Sequence, residues 1–201
     1  MQARIKITQI KTLPGDFWLV DFSLPHQAEA LFLESNGLIQ YQDALWPVAF
    51  FNTYTQTGQM LIYQLSLALM TGQIIEVELV KSSITRPDAH KKVLILASEM
   101  GLGYALFLAK KWKNLYPLVL LGAKKTFPFA ITPSQFLVKA LPAHVTAGIK
   151  VLEDLRIVSR LATEIEQPGC FHGEVLELAD YFLKNTPYLT YRFLGKHLTC
   201  T

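Results

Sequence analysis

The sequence predicts an α/β chain in two halves: a small all-β half, barrel or sandwich, followed by an α/β half built on a parallel sheet. Three observations carry this. Up to residue 80, short runs alternate apolar with polar residues and are separated by turn residues. A polar stretch from Lys81 to Lys92, centred on Arg86-Pro87-Asp88, interrupts them. From Val93 onward the apolar runs become continuous and take turns with segments of helical period. The 201 residues suffice for one large domain or two small ones packed closely.

Each element has a local cause. Ile5, Ile7 and Ile10 nearly alternate with polar neighbours, and Pro14-Gly15-Asp16 supplies turn chemistry before Phe17–Phe22. Pro47–Tyr54 is aromatic and β-branched, Thr55-Gln56-Thr57-Gly58 is a turn before Met60–Tyr63, and Thr71-Gly72 precedes the alternating run Ile74–Val80. Val93–Ala97 reads as a buried parallel strand. Gly101 and Gly103 then open Tyr104–Lys113, where Ala105, Leu108, Ala109 and Trp112 recur at helical spacing. Leu118–Leu121 is a second buried strand ended by Gly122. Pro128, Pro133 and Pro142 break the following segment, after which Ile149, Leu152 and Leu155 line a helix face. Ile157–Ile165 reads as a strand and Pro168–Gly173 as a loop. Glu174–Lys184 is a helix with the stripe Val175, Leu178, Ala179 and Phe182, and Tyr188–Leu194 is the last strand. Strand–helix alternation of this kind places any ligand crevice beyond the carboxyl ends of the strands.

Composition narrows the function classes. Hydrophobic residues make up 51% of the chain and charged residues 17%, against about 25% charged in an ordinary domain, so the chain as a whole is not disordered. The net charge of +3 comes from 19 basic and 16 acidic residues with no basic run, which predicts no nucleic-acid partner. No stretch approaches the ~20 apolar residues of a membrane span; the best, Leu61–Met70, is short and holds Gln64 and Ser66. Low charge without a span predicts a large core and some apolar surface that a protein partner or self-association covers. Met1-Gln2-Ala3-Arg4 begins no apolar signal block, Cys170 and Cys200 form no CxxC pair, and the five histidines show no zinc-site spacing. The expected compartment is the cytoplasm.

The second half carries a family resemblance. The stretch from Leu94 through Ser98-Glu99-Met100-Gly101-Leu102-Gly103 to Lys110 resembles the strand, glycine loop and helix of the ferredoxin reductase superfamily, and Leu120–Ala123 resembles its second strand and turn. Leu152–Thr163, followed by Pro168-Gly169-Cys170-Phe171-His172-Gly173-Glu174-Val175, is similar to the electron-transfer subunits of dihydroorotate dehydrogenases. The resemblance covers residues 93–185, is weaker over 1–80 and stops beyond about 190. It implies a small antiparallel flavin-domain-like β-barrel over residues 1–85 and a Rossmann-like nicotinamide-domain-like α/β domain over 92–201. It also implies FAD or FMN, NAD(P)H, an iron–sulfur module after the last strand, and a catalytic dehydrogenase chain as partner. The positions it marks for cofactor binding are Trp46, Pro47, Ala49, Gly101, Gly103, Gly122 and Gly173.

Several of these positions are substituted. The family's arginine-proline-x-serine motif stands here as Trp46-Pro47-Val48-Ala49, without the guanidinium that grips phosphate or the hydroxyl. Gln64–Met70 has no glycine where the family's phosphate-binding turn falls. Ala97-Ser98-Glu99 replaces three successive glycines. A carboxylate at ~4 Å from a pyrophosphate charge costs about 4 kcal/mol at an effective dielectric near 20, roughly a thousandfold in affinity. Two cysteines cannot supply the four thiolates of an iron–sulfur cluster, and Thr201 ends the chain without the cysteine cluster, so none is expected.

Plainer readings stand beside these. Gly101 and Gly103 serve tight packing; Glu99 is a solvated loop charge or a helix N-terminal acid; Trp46 is a core or interface aromatic; Cys170, despite nearby His172, is structural; and Glu153-Asp154 is a solvated helix face. No nucleophile–base or metal-ligand spacing is present. Two functions follow. The first is a non-catalytic binding or scaffolding subunit that has lost standard flavin, nicotinamide and iron–sulfur sites, because the substitutions fall at phosphate-binding positions while the apolar pattern persists. The alternative is a minimal NAD(P)H-dependent flavin protein that passes electrons to a partner, with Trp46, Phe50, Tyr54 and Tyr104 stacking on the flavin and Lys81, Arg86 or Lys91 facing its phosphates. For either, Tyr188–Leu194 is expected to present an edge that a partner or second copy covers.

Overall fold

The computed structural model describes residues 2–25, 38–52, 54–65, 68–80, 87–88, 92–186 and 190–194. Alternation in the first half closes into a six-stranded barrel rather than a sandwich. Its strands are β1 (Gln2–Leu13), β2 (Phe17–Ser23), β3 (Leu38–Tyr41), β4 (Ala44–Asn52), β5 (Thr57–Tyr63) and β6 (Ile74–Leu79), in spatial order β1-β2-β5-β4-β3-β6 with every pair antiparallel. Register decides which residues turn inward. Ile5 pairs with Ile75, and Met60 with both Val20 and Val48, so that all five are buried. Closure leaves the barrel without a free edge.

β3 has no counterpart among the strands expected from the sequence. Its turn into β4 is Gln42-Asp43, with Gln42 at φ +53°, where a two-residue hairpin turn ordinarily carries glycine or asparagine. Without that signature the hairpin is silent in the sequence.

The second half contains β7 (Val93–Ser98), a 3-10 turn (Glu99–Gly101), α1 (Leu102–Lys111), β8 (Leu118–Ala123), β9 (Ile131–Pro133), β10 (Ala147–Ile149), α2 (Lys150–Asp154), β11 (Val158–Thr163), β12 (Phe171–His172), α3 (Val175–Lys184) and β13 (Thr190–Leu194). Five strands form a parallel sheet in the order β12-β11-β8-β7-β13, which puts β13 at one edge. Both faces are covered, which is why β7 and β8 read as unbroken apolar runs. Val93, Ile95, Ala97, Val119 and Leu121 join the core shared with α1 and the barrel, while Leu94, Leu96 and Leu120 pack with Val175, Leu178, Ala179 and Phe182 of α3. α3 has the predicted stripe and a capping box, in which the main-chain N–H of Glu174 donates to Glu177 Oε2 at 3.1 Å. The segment broken by prolines holds the small antiparallel pair β9–β10. The helix expected over Ile149–Leu155 is confined to Lys150–Asp154. Ile149 belongs to β10 instead, its main-chain N–H donating to Ser159 Oγ at 3.0 Å, and Arg156 at φ +58° ends the turn.

A charged residue lies deep inside this half. Arg160, in the middle of β11, is 3% exposed. Its Nη1 donates to the main-chain oxygen of Ser159 at 2.6 Å and its Nη2 to that of Phe136. Burial pushes the guanidinium below its ordinary value, and the nearby Glu153 carboxylate partly offsets this. Glu153 is therefore not the solvated residue expected of a Glu-Asp pair. Its Oε2 accepts from the Gln135 N–H at 3.2 Å and its Oε1 is buried, whereas Asp154 is exposed and pairs with Lys150 at 2.9 Å. Together the two groups hold the turn at Gln135-Phe136. Replacing Arg160 by methionine is expected to destabilise the protein by about 3–5 kcal/mol in urea unfolding, because it strands Glu153 and two carbonyls.

Cys170 is 6% exposed in the same core, and burial pushes its thiol up to about 11 from 9.0. In a Cys200→Ser variant, Cys170 is expected to resist a thiol-specific reagent at neutral pH until the chain is unfolded. Because the unfolded thiol ionises first, native stability should be retained below pH 9.0 and decline as the pH rises toward about 11.

Candidate functional site

The carboxyl ends of β7, β8 and β11 meet at one edge of the parallel sheet, and the amino end of α1 opens beside them. The loops at this edge are bound to one another. Glu99 follows β7 with φ +38° and is 6% exposed, and its Oε1 accepts the main-chain N–H of Lys124 after β8 at 3.1 Å. Thr163, ending β11, donates its hydroxyl to the main-chain oxygen of Lys125 at 3.3 Å, and its own carbonyl accepts the Gly173 N–H at 3.0 Å. Glu99 is thus the acid of a helical first turn, but it is not solvated. Its carboxylate satisfies an amide that would cost about 1–3 kcal/mol if buried without a partner.

Two of the glycines marked for cofactor binding, Gly103 and Gly122, stand where other elements come close to the backbone. A Cβ on Gly103 would stand 3.0 Å from Leu61 Cβ and 3.4 Å from the main-chain oxygen of Pro47, so its bare backbone lets α1 lie against the β4–β5 wall. A Cβ on Gly122 would stand 2.8 Å from Val175 Cβ, where α3 crosses the end of β8. Gly101 is buried and precedes α1 without a side-chain cap. Gly173, at φ +140°, joins β12 to α3 and stays partly accessible.

The barrel positions are equally enclosed. Trp46 is 3% exposed with its ring 5.1 Å from that of Tyr41, and Pro47 and Ala49 are buried. Tyr104 is fully buried in α1, whereas Tyr54 is 97% exposed on the β4–β5 turn. Two of the four aromatics expected to stack on a flavin, Trp46 and Tyr104, are therefore core residues. Phe50 is the exception: half-buried, it meets Phe129 edge-on at 6.2 Å and lines a groove of about 330 Å³ near the far end of α1. Asp21, Gln59 and Lys110, which share that groove, carried no signal in the sequence, since two barrel strands of the first half and a helix of the second bring them together. Lys81, Arg86, Lys91 and Cys200 lie outside the described residues. Among the described residues, no three His, Cys, Asp or Glu come together as a metal-ligand set, and no helix is long and apolar enough to cross a membrane.

No family model and no curated protein matches the sequence. Solved structures do match its fold. An NADH-dependent reduced ferredoxin-NADP oxidoreductase, described for flavin-based electron bifurcation, is 13% identical with a TM-score of 0.65 over 95% of this chain and 67% of that one. The siderophore-interacting protein from Acinetobacter baumannii is 12% identical with a TM-score of 0.61 over 96% and 78%. The Amycolatopsis cytochrome P450 reductase GcoB is 11% identical with a TM-score of 0.68 over 96% and 61%. This chain spans from 61% to 78% of the lengths of these proteins. At such identities the likeness is one of architecture: a closed antiparallel barrel followed by a Rossmann-like parallel sheet, the ferredoxin reductase-like fold.

Proposed function

We propose that this chain is a non-catalytic binding subunit on a ferredoxin reductase-like scaffold, a degenerate relative of the electron-transfer subunits of dihydroorotate dehydrogenases. The observation that carries the reading is Glu99, whose buried carboxylate occupies the turn between β7 and α1 and is bonded to Lys124 N–H. A dinucleotide pyrophosphate at the head of α1 would meet that charge and compete for that amide. The residues present do not fit the group. The packing of Gly103 on Leu61 and the enclosure of Trp46 and Ala49 support the same reading for a flavin on the barrel wall. Exposed Met100, Ile165 and Leu176 follow β7, follow β11 and open α3, so apolar side chains border the same edge and favour a protein as the occupant.

The rival reading is a flavin-dependent electron-transfer protein, favoured by the architecture it shares with reductases of flavin and nicotinamide chemistry. The visible spectrum of the protein as purified separates the two. The expected result is no flavin band and no binding heat with NADH at millimolar concentration; a stoichiometric flavin overturns the proposal. Glu99→Gly, which relieves the positive φ and removes the charge, is expected to bind NADH at least about tenfold more tightly than the parent chain.

Gly103 gives a second test. Gly103→Ala is expected to lower the stability of the ligand-free protein by about 1–3 kcal/mol through overpacking against Leu61. Unchanged thermal unfolding would mean that this glycine is kept for a ligand rather than for the helix–barrel contact.

A further inference from the structure

We infer that the groove at the far end of α1 is a binding site for a small zwitterion of the amino-acid type, separate from the edge where the sheet's loops meet. Lys110 stands seven residues beyond Gly103 (110 − 103), about 10 Å along a helix that rises 1.5 Å per residue. The groove therefore opens away from the glycine turn, at the junction of barrel and α/β half, and such junctions are common places for small-ligand sites.

Its walls come from both halves. Asp21 on β2 and Phe50 on β4 both pair with Gln59 on β5, so the three form one row across the barrel wall. Thr8 sits at the register irregularity of β1 between Ile7 and Gln9, the kind of break that re-aims a side chain. Lys110 closes the groove from α1. The volume, about 330 Å³, suits a ligand of a dozen or so heavy atoms, at the small end of known pockets.

The chemistry of the lining selects the class. Asp21 is its one acid and Lys110 its one base. Gln59 Nε2 donates to Asp21 Oδ1 at 2.9 Å, which orients the carboxylate and leaves Oδ2 for a second donor. Lys110 makes no ion pair among the described residues. The Phe50 ring, held edge-on by Phe129, offers an apolar wall between them. A simple anion would suit Lys110 but meet Asp21, and a neutral sugar would leave both charges without a counterpart. A free amino acid satisfies all three groups: its ammonium at Asp21, its carboxylate at Lys110 and its side chain along Phe50.

The test is a calorimetric and amide-NMR titration of the whole chain with the common L-amino acids, with their N-acetyl amides as the uncharged control. The expected result is saturable binding of at least one free amino acid, with shifts at Asp21, Gln59 and Lys110 and at least about tenfold weaker binding of its N-acetyl amide. Asp21→Asn and Lys110→Gln should each weaken binding by about tenfold while leaving thermal unfolding in place. No saturable binding by any amino acid, equal binding of the uncharged forms, or shifts confined to the loops at the sheet edge would overturn the inference. None of these outcomes depends on whether the chain carries a flavin.

Discussion

The packing of α1 between the barrel wall and the parallel sheet is the constraint on which the rest of the structure depends. Its residues Leu102–Ala109 are buried on every side. Such a helix is held by what surrounds it rather than by one stripe. Small residues make this possible: Gly103, Ala105 and Ala109 let the helix lie close to strands on both sides. A single apolar core consequently runs from the barrel interior through α1 to one face of the sheet. The helix then borders two distinct places, the loop edge at its amino end and the groove near its carboxyl end.

At its amino end the chain resolves its polar groups internally. Glu99 accepts an amide, Thr163 joins two loops, and deeper in the sheet Arg160 gives its guanidinium to main-chain oxygens. Each arrangement follows the same rule, that a buried polar group must find a partner. Where an open phosphate-binding turn needs unengaged amides, this edge has engaged them with side chains. At the carboxyl end the opposite holds: an oriented Asp21, a Lys110 without an ion pair among the described residues and an aromatic wall converge on open space. Binding capacity is placed by which polar groups remain unspent, and here these lie at the end away from the glycine turn.

Much of the architecture was legible because hydrophobic period reports it. The stripe Val175, Leu178, Ala179 and Phe182 became the buried face of α3, and the runs at Val93 and Leu118 became neighbouring parallel strands. Elements without a periodic or turn signal were not legible. β3 turns on Gln42 rather than a glycine, and β9 and β10 are three residues each among prolines. The reading of Glu99 as solvated failed for a related reason. Charge on a loop is exposed by default, and only the positive φ and the amide of Lys124 turn it inward.

By itself the sequence determined the order of the periodic elements, the succession of an all-β half and a parallel-sheet half, and which side-chain types stand at the turns, since period, turn chemistry and side-chain identity are local properties. The tertiary structure decided what those positions do instead. Gly103 against Leu61, Glu99 against Lys124, Glu153 beside Arg160 and Asp21 facing the groove with Lys110 are separated by between 7 and 89 residues (160 − 153 and 110 − 21). Contacts of that kind come from how helices and strands pack in space, and no run of neighbouring residues encodes them.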